Sequence, residues 1–378
     1  MKQSALAISL FIALGGSAFA AAAQAEVVVL EDTPAVAPSQ QRLGLAASSG
    51  PYQAIGVGVS STNRLFVSFP KLGGPYRYGL TEVVGGSELP YPDASWNAAT
   101  ARDDHHFASV QDLYVDADDF LWVLDSQPAT QNPDGSSTEG YFKLVKFDIA
   151  TGRALRIYHF DDLDKHRSAL NDVRVDTQRN LAYLSDPGLA AIVVLDLSNG
   201  KSRVVLANTT PTLADPDIVL SYGGVEMRDA TGKPYASNVN GIALTRDNRF
   251  LYFKPVTNVN LYRIETQYLA DPNLDAGTLL SKVQFVKEVG ITHGLEADSS
   301  GNIILTSSLD YSIKYLSPDF TVHTLVTDSR LIWPDSLGIG TNGYLYVSSS
   351  QLNRGAQWNN GVSRATLPYG VYRTRLPH

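Results

Sequence analysis

The chain has 378 residues, with 30 Lys and Arg against 38 Asp and Glu, a formal net charge of −8 and no cysteine. This balance, with no basic cluster anywhere, excludes nucleic acid and anionic membrane surfaces as partners. The lack of cysteine excludes disulfides and thiolate zinc sites. With 19 Tyr, 13 Phe and 30 Gly, the composition reads as β structure with many turns.

Residues 1–25 read as a signal peptide: Lys2, an apolar run from Leu6 to Leu14, then small residues ending Ala23-Gln24-Ala25. Cleavage near Ala25 implies export to the periplasm or the extracellular medium. No later stretch has the roughly 18 consecutive apolar residues of a membrane-spanning helix, so no membrane insertion is expected. The remainder, 26–378, contains no linker and is expected to be one domain.

Along that remainder, strand-like runs recur in pairs joined by Asp/Asn/Gly turns. The second members are "RLFVSF" (64–69), "FLWVLD" (120–125), "LAYLSD" (181–186), "FLYFKP" (250–255), "NIILTS" (302–307) and "YLYVSS" (344–349). Their central large residues are Phe66, Trp122, Tyr183, Tyr252, Ile304 and Tyr346. Six strand-turn-strand units, none able to bury its apolar face alone, predict an all-β fold: a six-bladed β-propeller. A ring needs both chain ends in one sheet. "EVVVLE" (26–31) and "GVYRTRL" (370–376) are the expected closing strands.

Each aromatic strand is preceded by a strand with an apolar pair at period 2: Val57/Val59, Leu113/Val115, Val173/Val175, Ile242/Leu244, Leu295/Ala297 and Leu337/Ile339. Two residues before each pair stand Ile55, Gln111, Asn171, Asn240, His293 and Asp335. Five of the six are polar, and if these strands are innermost they converge at one mouth of the propeller. Asp125 and Asp186 end the following strands near that mouth. Singly, each of these residues reads as turn chemistry; as a set they read as a ligand-binding site for a small molecule. Asn171, Asn240 and Asp335 offer oxygen ligands suited to Ca²⁺ should a metal be bound, though only one is anionic. "DADDF" (116–120) lacks the glycine and distal glutamate of a calcium loop. Neither His-Glu-x-x-His nor Gly-x-Ser-x-Gly occurs.

Several blocks resemble the major royal jelly protein/yellow family. "NRLFVSFPKLGGPYRYGLTEV" followed by "LPYPDASWN" is similar to the family's R-x-F-V-x-x-P-R strand and Y-P-x-x-x-x-N segment. "FASVQDLYVDADDFLWVLDSQ", "LAYLSDPGLAAIVVLDLSNGKSRVV", "VNGIALTRDNRFLYFKPVTNVNLYRIET" and "GYLYVSSSQLNR" resemble further family blocks in order, from Asn63 to Arg354. The resemblance implies a secreted six-bladed propeller of bacterial type, in a family that includes binders of small aromatic amines. Gluconolactonase and senescence-marker propellers are more distantly similar, through "LND" (170–172) and "VNG" (239–241). That second resemblance implies a Ca-dependent lactone hydrolase in which His293 is the catalytic residue handling protons. It departs at Ile55 and His293, where that group carries acids. A purely structural role is the third reading.

Overall fold

The computed structural model describes residues 27–33, 42–98, 102–132 and 134–377. The segment 1–25, read above as a signal peptide, lies outside them. The described chain is almost entirely β, with two five-residue α-helices, Thr266–Ala270 and Ala276–Leu280.

Six four-stranded antiparallel sheets follow one another along the chain. Their first strands are Val57–Val59, Val110–Val115, Val173–Asp176, Val239–Leu244, Leu295–Ala297 and Pro334–Ile339. Each is an edge strand of its sheet, and each is followed by the strand with the central large residue foreseen from sequence, aromatic in five sheets and Ile304 in the fifth. The first strand of every sheet packs against that of the next, and that of the sixth packs against that of the first. The aromatics lie between sheets: Phe66, Trp122 and Tyr183 are 0–2% exposed. The apolar pairs pack beside them.

The connecting hairpins are short because their local chemistry is self-sufficient. A residue of positive φ sits in each: Asn63, Asp119, Asn180, Asn248, Gly301 and Gly343. All are Asn, Asp or Gly, the residues that tolerate the left-handed region. In "DADDF" the Asp116 carboxylate accepts from Asp118 N and Phe120 N at 3.0 Å and from Trp122 Nε1 at 2.7 Å. Its oxygens are spent on the turn.

The sixth sheet corrects one expectation. Its outer strands are Tyr369–Arg375 and Gly44–Gly50, which pair with each other. The C-terminal strand is the one expected, but its N-terminal partner is not "EVVVLE". Val28–Glu31 instead runs parallel to Ile218–Ser221 in a separate three-stranded sheet. The valine-rich run has the stronger strand propensity. In "GLAASSG" Ala47 is buried with Ala54 and Val57, while Leu45 stays largely exposed.

Neighbouring first strands approach so closely that three positions must be glycine. A Cβ on Gly241 would overlap the His293 carbonyl oxygen, and one on Gly294 the Asp335 carbonyl oxygen, well inside contact distance. At Gly56 a Cβ would overlap the Ser68 hydroxyl at 2.5 Å and sit tightly, at 3.1 Å, against the Gln111–Asp112 backbone. Because backbone cannot yield as a flexible side chain does, Gly241→Ala is expected to cost at least about 3 kcal/mol in urea unfolding. Gly74→Ala, with nothing within 4 Å of its added Cβ, is the control and should be near neutral. A Gly241→Ala protein as stable as the control would contradict this packing.

Candidate functional site

In four of the six sheets a repeated bond holds the strand that follows the aligned position in register. Two residues beyond the central large residue stand Ser68, Ser185, Thr306 and Ser348. Their hydroxyls accept from Gly56 N, Asp172 N, Gly294 N and Ser336 N at 2.8, 3.1, 3.0 and 3.2 Å. Ser68 and Ser348 also donate to the Gln111 and Ile55 carbonyls of the next sheet at 3.2 and 2.6 Å.

On this frame three of the predicted side chains form one chain of hydrogen bonds. Gln111 Nε2 donates to Asn171 Oδ1 at 3.2 Å, and Asn171 Nδ2 donates to Asn240 Oδ1 at 3.0 Å and to Asp172 Oδ1 at 2.8 Å. All three amides are half-buried. Asp335 accepts from Ser350 Oγ at 3.0 Å, and burial, reinforced by Asp112, pushes its carboxyl up to about 7. His293 is 2% exposed. Its ring stacks on Trp333 at 4.0 Å and 27°, and Nε2 meets Ser308 Oγ at 2.8 Å, which in turn meets Tyr222 Oη at 2.7 Å. Nδ1 is buried with no hydrogen-bond partner among the described residues. Burial, with the charge of Lys254 adding, holds His293 well below the usual imidazole range, so it is neutral near pH 7. Ile55 supplies an apolar position in the set.

Asp125 and Asp186 stand apart from this group. Both are wholly buried. Asp125 accepts from Ala108 N and Ser109 N and lies 3.6 Å from Lys143 Nζ. Asp186 accepts from Ala169 N and Leu189 N at 2.9 and 3.0 Å and from Ser168 Oγ. Each ties the segment leading into its sheet to the end of the aromatic strand.

The residues that sequence reasoning passed over lie one and three positions further along the same strands. Directly before the apolar pairs are Gly56, Asp112, Asp172, Gly241, Gly294 and Ser336; between the pair members are Gly58, Tyr114, Arg174, Ala243, Glu296 and Gly338. Arg174 joins three sheets: Nη1 reaches Asp112 Oδ2 at 3.3 Å, and Nη2 reaches the Leu295 carbonyl at 2.8 Å and Glu296 Oε2 at 3.5 Å. Desolvation raises Asp172 well above the carboxylate range, with Asp112 adding to the effect and Arg174 opposing it. The same alignment, read one residue later, would have exposed Asp112 and Asp172. Trp333, Tyr222 and Ser308 have no repeat position and carry no such signal.

For a calcium ion this donor set does not fit. The Asn171 and Asn240 oxygens already accept from neighbouring amides, Ile55 offers no ligand, and Asp335 holds a proton up to about pH 7. Among the described residues no group of three or more His, Cys, Asp or Glu side chains is arranged to hold a metal.

A family model described as major royal jelly protein matches residues 108–369. The chain belongs to the major royal jelly protein family. Two honeybee (Apis mellifera) relatives are similar. Major royal jelly protein 3 is 25% identical over 205 residues, covering 50% of this chain and 34% of that protein. Major royal jelly protein 1 is 25% identical over 237 residues, covering 60% and 50%. The chain thus spans a third to a half of these relatives' length. Among solved structures, a gluconolactonase from Xanthomonas campestris has a TM-score of 0.54 at 13% identity, covering 90% of this chain and 91% of that one. A calcium-binding regucalcin from Agrobacterium tumefaciens has a TM-score of 0.51 at 15% identity, covering 88% and 93%. At these identities the likeness is one of fold.

The raised carboxyl gives a pH prediction for this family member. An acid whose folded pKa is about 7, above its unfolded value of roughly 4, binds its proton more tightly when folded. Its favourable contribution is complete below pH 4 and is lost as pH rises toward 7. Asp335→Asn should therefore flatten the fall in melting temperature between pH 4 and pH 7. An unchanged profile would place the titration elsewhere. Added Ca²⁺ should leave the melting temperature within about 1 °C, because only a ligand bound by the folded state stabilises it; a saturable rise would overturn the assessment of the donor set.

Proposed function

We propose that this chain is an exported, single-domain binding protein: a six-bladed propeller, closed by pairing of Gly44–Gly50 with Tyr369–Arg375, that takes a small aromatic or amine-bearing ligand where its first strands begin. The observation that carries the reading is the joining of Gln111, Asn171 and Asn240 into one hydrogen-bonded chain near the buried carboxyl of Asp172 and the half-buried one of Asp335. Those amides can orient polar groups of a ligand, and the carboxyls are acceptors for an ammonium group once deprotonated. The cyclic contacts of the six first strands support the ring. Family membership supports a binding role without naming the ligand.

A lactonase reading finds less support. His293 is buried and neutral, a weak base, and its Nε2 is already engaged with Ser308. The donor set also lacks the ligands that a polarising cation would need.

Isothermal titration with tryptamine, tyramine and phenethylamine tests the proposal. At least one should bind saturably, and Asp335→Asn and Asn171→Ala should each weaken it at least about tenfold, the loss expected for a charge-assisted or buried hydrogen bond. Because an ammonium ion must expel the carboxyl proton, affinity should rise between pH 6 and pH 8 in the parent and not in Asp335→Asn. Flat heats across the panel would remove this function. N-terminal sequencing of the exported protein should begin at Glu26.

A further inference from the structure

The described residues also line a cavity of about 400 Å³ at the other end of the first strands, among the hairpin turns. It is bordered by Ser60, Ser61, Asp116, Asp119, Gly340 and Thr341, which belong to those turns. Its remaining polar wall is Tyr114, Arg246, Glu296 and Ser299. Arg174 separates it from the amide chain, with Asp112 on one side of its guanidinium and Glu296 on the other.

The charges around this cavity are unequally committed. Asp116 is spent on its own turn and on Trp122. Asp119 accepts from Ser61 N and Ser61 Oγ at 2.6 and 2.8 Å. Glu296 is different: it is 5% exposed and Oε1 accepts from Ala297 N at 3.0 Å, yet its two guanidinium neighbours stand off, Arg174 at 3.5 Å from Oε2 and Arg246 at 3.8 Å from Oε1. The second distance is beyond hydrogen-bond range. A buried carboxylate and a half-exposed guanidinium therefore face one space with unspent hydrogen-bonding capacity.

That combination selects against ions. An anion drawn to Arg246 would also meet Glu296, Asp116 and Asp119. A cation drawn to Glu296 would have to displace Arg246 and would find the other two carboxylates occupied. A hydroxyl donates to a carboxylate and accepts from a guanidinium, so it serves both at once. The apolar wall of Val57, Leu113 and Leu337 suits the C–H face of such a molecule. We infer that this cavity is a second binding site, for a neutral polyhydroxyl compound of monosaccharide size, with hydroxyls donating to Glu296 and accepting from Arg246. Tyr114 and Ser299 supply further hydroxyl contacts.

Titration of the full chain by saturation-transfer NMR with D-glucose and myo-inositol is the test, with choline and gluconate as the cationic and anionic controls. At least one neutral probe should saturate below about 50 mM, a weak-site range. Arg246→Ala and Tyr114→Phe should each weaken it at least about tenfold. Both variants spare the core: Arg246 is half-exposed, and Phe keeps the Tyr114 ring. Asn171→Ala, at the other end of the strands, should leave the affinity within twofold. No saturation by either neutral probe, saturation by choline or gluconate alone, or sensitivity to Asn171→Ala without sensitivity to Arg246→Ala would each overturn the assignment. None of these results depends on whether aromatic amines bind beside Asp335.

Discussion

The constraint on which the rest depends is the close approach of neighbouring first strands. Where Gly241 lies against the His293 carbonyl and Gly294 against the Asp335 carbonyl, nothing larger than hydrogen fits. The hydroxyls of Ser68, Ser185, Thr306 and Ser348 then receive the backbone N–H groups just before the apolar pairs, so four of the six first strands are fixed along their length as well as across it. With spacing and register both set by backbone contacts, side chains from separate sheets meet at hydrogen-bond distance. Gln111, Asn171 and Asn240 come from three neighbouring sheets and form one hydrogen-bonded chain.

The same crowding imposes an electrostatic problem. Asp112, Asp172 and Glu296 lie near the buried guanidinium of Arg174, and Asp335 lies near Asp112 and Asp172. One buried guanidinium cannot fully neutralise several carboxylates in a poorly solvated space, and an unpaired buried charge is costly. Burial accordingly raises the Asp172 carboxyl well above the usual range and that of Asp335 to about 7, and Arg174 is shared between Asp112 and Glu296. The protein thus holds carboxyl groups in a state that a bound cation or a change in pH can alter at one end. At the other end it keeps a carboxylate and a guanidinium apart across an open cavity.

Much of this was legible along the chain, because the repeat is written in residues of restricted use. The central large residues and the period-2 pairs located six pairs of strands, and the left-handed Asn, Asp and Gly positions marked their turns. Aligning the pairs picked out Gln111, Asn171, Asn240, His293 and Asp335. It also picked out Asp125 and Asp186 by proximity, and these turn out to be tied to backbone N–H groups. Strand propensity misled at the N-terminus, where "EVVVLE" (26–31) was expected beside the C-terminal strand and Gly44–Gly50 takes that place.

The sequence by itself determined which residues form strands and turns, since alternation and turn propensity are local properties, and it set the small residues that permit close packing. Only the tertiary structure decided what those strands share. Trp333 under His293, Tyr222 against Ser308 and Arg174 reaching from the third sheet to the fifth are contacts between segments distant along the chain. No period relates those partners. Their meeting depends on the path of the chain between sheets and on which side chain is long enough to cross the space the glycines leave.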